Sequence, residues 1–113
     1  MDLMKALFGP PLPSVSAADL SEKLKNGKKP LVVDVRQPEE YRQGHIQGSK
    51  LIPLGQLSGR LKELPKNKEI VLVCATGSRS RSATKMLVRE GYEAVNMNGG
   101  MMSWARSGLS IKK

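Results

Sequence analysis

The sequence has one cysteine, Cys74, and one histidine, His45. A lone cysteine closes no intrachain disulfide, and one residue of each kind cannot supply the four ligands of a structural zinc site, so no metal is expected. Aromatic residues make up only 4% of the 113 residues. That is too few for the stacking platforms that nucleic-acid modules add to their positive charge. Neither a GxxxxGK nor a GxGxxG phosphate loop occurs, so the sequence points to no cofactor and to no nucleic-acid partner. No apolar run approaches the roughly 20 residues of a membrane span, and no membrane partner is expected. The opening Met1-Asp2-Leu3-Met4-Lys5-Ala6-Leu7-Phe8 is weakly hydrophobic but is stopped by Pro10, Pro11 and Pro13. It is too short and too early in its acid for a secretory signal, although Val15-Ser16-Ala17 loosely imitates a cleavage site, and a cytoplasmic protein is expected. Acids are also few, 10 against 19 Lys and Arg, for a net charge of +9. Such an excess favours anionic partners. Much of it lies in scattered lysines, Lys23, Lys25, Lys28, Lys29, Lys66, Lys68, Lys112 and Lys113, which read as solvated faces and a tail.

What remains is a chain with 39% hydrophobic and 26% charged residues, the proportions of one globular domain. Strand and helix signals alternate. Ser16 can cap a helix from Ala17 to about Asn26, with Asp19 as capping-box partner and Gly27 as its stop. Leu31 to Val35 reads as a buried strand. Pro38, Glu39 and Glu40 open a short helix that Gly44 ends. A short strand spans Ser49 to Ile52, and a helix near Gln56 to Leu64 closes at Pro65. Strand Ile70–Val73, a helix from about Ser80 to Glu90, strand Ala94–Met97 and a last helix around Met101 to Ser107 complete the series. This alternation predicts an α/β fold with a largely parallel sheet, in which sites lie at the carboxyl ends of strands. Asp34-Val35-Arg36, Cys74 and Asn98-Gly99-Gly100 each follow a predicted strand and should converge on one sheet edge.

Cys74 has two readings. It is either a buried, inert thiol after a core strand or a thiolate wrapped by the loop Cys74-Ala75-Thr76-Gly77-Ser78-Arg79. A thiol at a strand end, followed by a short glycine-containing loop that feeds a helix, meets several N–H groups and a helix dipole, which favour the charged form.

The chain resembles the single-domain rhodanese family, the thiosulfate sulfurtransferases and their sulfur-carrier relatives. The matching segments are Asp34-Val35-Arg36 with Glu39-Glu40-Tyr41, then Gly44-His45-Ile46-Gln47-Gly48-Ser49 with Ile52-Pro53. They continue with Cys74 to Ser80, Asn98-Gly99-Gly100-Met101 with Trp104, and Gly108-Leu109. The resemblance implies a rhodanese-like domain over residues 14–111, after an N-terminal extension of residues 1–13 and before a basic tail at 112–113. It implies a central, mainly parallel five-stranded sheet flanked by helices on both faces. It also implies a persulfide mechanism, in which the Cys74 thiolate takes the outer sulfur of a small anionic donor such as thiosulfate and passes it to a thiol or protein acceptor. Two positions depart from the family pattern: Ala75, where many active relatives carry a basic or polar residue, and Ser110, where proline is common.

The residues are consistent with that chemistry. The amides of Ala75, Thr76, Gly77, Ser78 and Arg79 can turn inward as an anion-binding nest, with Gly77 relieving the crowding. Arg79 offers a planar fork that either holds a sulfonate-type anion or braces the loop. Related phosphatases use a Cys-x5-Arg loop; here Arg79 comes one residue sooner, and the smaller ring suits sulfur better than a phosphoryl group. Asp34 and Arg36 read as a hydrogen-bonded pair supporting the site. His45 reads as a fold residue of the Gly-His-Ile turn, Trp104 as packing beneath Gly99-Gly100, and Met97, Met101 and Met102 as gap fillers. Arg81, Lys85 and Arg89 form a basic stripe at i, i+4, i+8, either a solvated face or a docking surface. The alternative to an enzyme is a non-enzymatic sulfur carrier or sensor that docks on a protein partner.

Overall fold

A computed structural model of the protein describes residues 11–113. Residues 1–10 of the expected N-terminal extension lie outside the described residues. Five strands form one sheet: β1 (Ser14–Val15), β2 (Leu31–Asp34), β3 (Lys50–Leu51), β4 (Ile70–Val73) and β5 (Ala94–Met97). Their order is β1-β5-β4-β2-β3, and every pairing is parallel. The helices are α1 (Ala17–Lys23), α2 (Pro38–Arg42), α3 (Leu54–Leu57), α4 (Ser78–Arg89) and α5 (Gly100–Arg106), with a 3-10 turn at Leu61–Glu63. The expected α/β class, five parallel strands and helices on both faces are all present.

Strand alternation builds the two layers. Val33, Ile70, Leu72, Cys74 and Ala94 pack on one face with Leu57, Leu64, Ala83 and Leu87 of the α3–α4 side. Val32, Val71, Val73 and Met97 pack on the other with Ala17, Leu20 and Trp104 from α1 and α5. Each fully buried aliphatic side chain contributes about 1.5–3 kcal/mol. Four-residue strands buried on both faces therefore read as unbroken apolar runs, as in Ile70-Val71-Leu72-Val73.

The predicted elements hold at their cores and shift at their ends. Ser16 caps α1, its Oγ accepting from the Asp19 amide at 3.0 Å. This helix ends at Lys23 rather than Asn26 because its last turn tightens, with Lys25 N donating to Glu22 O and Asn26 N to Lys23 O. The single helix expected over 56–64 is instead α3 and the 3-10 turn, separated around Gly59, whose helix propensity is about 1 kcal/mol worse than alanine's. Two-residue β1 carries no periodicity of its own; it is defined by pairing, with Asn96 N donating to Pro13 O and Asn98 N to Val15 O. The tail is tied down by a backbone bridge between His45 and Lys112.

Topology then locates the site. The chain leaves β2 toward β3 on one side and β4 toward β5 on the other. Between those diverging connections the carboxyl ends of β2 and β4 open a crevice. Cys74 stands at the end of β4.

Candidate active site

Cys74 continues the Ile70, Leu72 parity and so points to the α4 face, where no part of it reaches solvent. Helix α4 begins at Ser78, two residues earlier than the sequence suggests, because Gly77 adopts φ 104° as its N-cap. No side chain caps this end and no acid occupies its first turn. A helix start ordinarily takes a Ser, Asp or Asn side chain and an acid. Here the sulfur takes their place: the Gly77 amide donates to Sγ at 3.0 Å and the Ser80 hydroxyl lies 3.3 Å from it.

The loop is held in this posture from behind. At the start of α5, the Met101 amide donates to the Cys74 carbonyl at 2.8 Å and the Met102 amide to the Ala75 carbonyl at 3.0 Å. In a trans peptide the N–H points opposite to the C=O. Drawing these carbonyls toward α5 therefore turns the Ala75 and Thr76 amides the other way, toward the sulfur side. Gly100 makes the close approach feasible, since a Cβ there would lie 2.5 Å from the Ala75 carbonyl carbon and oxygen and from the Cys74 carbonyl oxygen.

Two opposing influences act on the thiol. Burial is the larger single one and raises its pKa. The Ser80 hydroxyl and the amides of Ser80, Gly77 and Thr76 together outweigh it, and the net shift is downward, toward thiolate.

Arg79 is turned away from an anion-binding posture. Its fork is closed on Glu40 of α2, Nη1 to Oε1 and Nη2 to Oε2 both at 2.8 Å. This bidentate pair raises the Arg79 pKa and, chiefly through that hydrogen bonding, lowers Glu40 to about 2. Of the two roles open to Arg79, the structure displays the brace, joining α4 to α2 across the crevice.

Asp34 and Arg36 also pair. Arg36 Nε and Nη2 donate to the Asp34 carboxylate at 3.0 and 2.8 Å, and Nη2 also donates to the Gly44 carbonyl at 2.8 Å. Asp34 is 1% exposed and Arg36 6%. The pair fixes the end of β2 to the Gly44 turn. His45 serves the same turn: its ring stacks on Tyr41 at 3.7 Å, and Nδ1 lies 2.8 Å from the Tyr41 carbonyl, which can only accept. Trp104 is buried in the core layer that α1 and α5 form on the sheet, its Nε1 donating to Ser110 O at 2.9 Å. Arg81, Lys85 and Arg89 are exposed and have no acidic partner among the described residues.

Thus Cys74, Thr76 and Gly77 meet at the sulfur; Ala75 and Ser78 shape the loop; Arg79, Asp34 and Arg36 frame it. Sequence reasoning passed over Ser80 and Asn96. Ser80 Oγ is 2.6 Å from Asn96 Oδ1, and Thr84 Oγ1 donates to Ser80 O at 2.7 Å. The available signal was polar residues at core positions: Ser80, Ala83, Thr84 and Leu87 are the buried face of α4, and Asn96 interrupts an apolar strand.

Residues 16–107 match the rhodanese-like domain family. A sulfurtransferase from Allochromatium vinosum is 37% identical over 98 residues, covering 86% of this chain and 92% of that protein. Thiosulfate sulfurtransferase GlpE from Pseudoalteromonas translucida is 33% identical over 75 residues, covering 66% of this chain and 71% of its own. The crystal structure of a rhodanese-related protein from Thermoplasma volcanium is similar with a TM-score of 0.83 at 36% identity, covering 88% of this chain and 97% of that one. Among the described residues no helix is long and apolar enough to cross a membrane.

Proposed function

This chain belongs to the rhodanese-like sulfurtransferase family, and on that premise we propose that Cys74 carries sulfane sulfur as a persulfide between a small anionic donor, such as thiosulfate, and a thiol or protein acceptor. The thiolate attacks the outer sulfur of the donor; a Cys–S–S bond forms, the donor's S–S bond breaks, and sulfite leaves with the electron pair. An acceptor thiolate then attacks the outer persulfide sulfur and Cys74 departs as thiolate. One observation carries this reading: a sulfur in the position of a helix cap, with donors from Gly77 and Ser80 already at 3.0 and 3.3 Å. The Gly77 amide is fixed in place and the Ser80 hydroxyl is within reach, so the anion present before loading and after release meets donors already at hand. The surplus of positive charge draws anionic donors toward the crevice. A thiol that must return to its reduced state suits a reducing compartment, so the proposal places the protein in the cytoplasm.

A second reading, a sulfur carrier or sensor that turns over slowly alone, draws on Arg79. With its fork closed on Glu40 and alanine at position 75, the loop's side chains present no free cation to a donor anion. Incubation with thiosulfate followed by intact-protein mass spectrometry should reveal one added sulfur, mapped to Cys74. Steady-state turnover with cyanide then separates enzyme from carrier. Hydrolysis of aryl phosphates with no sulfur adduct would overturn both readings.

A further inference from the structure

Asn96 is a polar side chain at a core position of β5, on the α4 side of the sheet and 6% exposed. Its partner is the Ser80 hydroxyl, which has three acceptors around it: Asn96 Oδ1 at 2.6 Å, Gly77 O at 3.2 Å and Cys74 Sγ at 3.3 Å. A hydroxyl has one proton and two lone pairs. With Oδ1 toward Ser80, the short contact claims that proton, and the sulfur is served only if its own S–H donates to Oγ. That arrangement suits the neutral thiol. The thiolate needs the opposite one, in which Ser80 donates to Sγ. Two acceptor oxygens would then face each other at 2.6 Å. A half-turn of the carboxamide removes the conflict by presenting Nδ2, which donates to Ser80 Oγ. The other end of the amide has room for either atom. Asn96 lines a cavity of about 200 Å³ beside Asn98 and Arg81, and among the described residues its Nδ2 has no hydrogen-bond partner.

We infer that Asn96 is a positioning residue that directs the proton of Ser80, its carboxamide turning from acceptor to donor as Cys74 ionises. Asparagine fits because a carboxamide can do both; an ionised carboxylate only accepts and an aliphatic side chain does neither. The inference deepens the proposed role of Cys74 and rests on that reading for its purpose, but its test measures ionisation and not sulfur transfer. The charged groups around this cluster are Arg81, which lines the same cavity as Asn96, Arg79 from α4, paired with Glu40 of α2, and the Asp34–Arg36 pair at the end of β2. The stretch from Ala94 to Trp104 brings no charged residue.

The experiment is the pH dependence of Cys74 alkylation by iodoacetamide in wild type, Asn96→Asp and Asn96→Leu, each also in a Ser80→Ala background, with circular dichroism to verify folding. Asn96→Asp should raise the midpoint by about one pH unit, slowing alkylation near neutrality about tenfold. Asn96→Leu should slow it about threefold, because the chain from Nδ2 through Ser80 Oγ to the charged sulfur is stronger than the neutral bond it replaces and leucine removes both. Without Ser80 the leucine effect should vanish, and the aspartate effect should fall to less than half on a logarithmic scale, the remainder being its charge. Should Asn96→Asp not fold, the leucine pair carries the test. Variants that titrate like wild type, or shifts of equal size with and without Ser80, overturn the inference. Failure of sulfur loading with these shifts intact would instead overturn the proposed function.

Discussion

Replacing Gly100 by alanine tests whether the start of α5 holds the Cys74 loop in its working posture. Two costs can be separated. Gly100 has φ 59°, a left-handed conformation that costs an L-residue about 1–2 kcal/mol. The new methyl would also lie 2.5 Å from three backbone atoms of Cys74 and Ala75; overpacking of this kind costs about 1–3 kcal/mol. The sum, about 2–5 kcal/mol, does not exceed the 5–15 kcal/mol typical of natural domains, so the variant should fold with reduced stability. Relief requires the loop and α5 to separate, which stretches the bonds from Met101 N to Cys74 O and from Met102 N to Ala75 O. The Thr76 amide is then free to swing off the sulfur, and the Cys74 pKa should rise toward that of an ordinary thiol. Gly108→Ala is the control: its φ is 71° and nothing lies within 4 Å of the added Cβ. It should lose only the conformational cost and leave Cys74 unchanged. Urea unfolding gives the stabilities, and alkylation rate against pH gives the titration. If Gly100→Ala behaves like Gly108→Ala in both measurements, α5 does not set the loop.

The other expectations concern the sulfur and its frame. Cys74→Ser should abolish sulfur loading by mass spectrometry while changing unfolding free energy by no more than about 1 kcal/mol, the scale of one hydrogen bond. Glu40→Gln should release the Arg79 fork and lower the KM for thiosulfate in a steady-state assay. The same substitution should flatten the acid limb of stability. Glu40 is held at about 2 against an ordinary 4.5, so wild type has this contribution above pH 4.5 and loses it as pH falls toward 2; for a pair one-third exposed it is worth no more than about 1 kcal/mol. Asp34→Asn should leave the buried Arg36 charge without its partner and cost about 3–5 kcal/mol in urea unfolding.

The legible parts of this molecule are those governed by short-range pattern. Ile70–Val73 and Ala94–Met97 have in the structure the bounds their apolar runs predict. The parity of 70, 72 and 74 already aims Cys74 at α4. Less legible were features that depend on a second segment. Strand β1 exists only through its pairing with β5. The start of α4 is expected at about Ser80; Gly77 caps the helix earlier, in a left-handed conformation that no local pattern announces, and the serine hydroxyl is left for the sulfur. Arg79 faced two futures that its own neighbours in sequence could not separate, because the deciding carboxylate, Glu40, is 39 residues away. Asn96 reaches Ser80 across 16 residues in the same manner.

The two bonds from Met101 and Met102 to the Cys74 and Ala75 carbonyls also impose an order of manufacture. Translation delivers the thiol well before the segment that orients its loop. A growing chain that ends short of Met102 holds Cys74 with ordinary, solvated peptide groups around it, and such a thiol is mostly protonated at neutral pH. The full set of donors around the sulfur is therefore complete only once the last helix has docked.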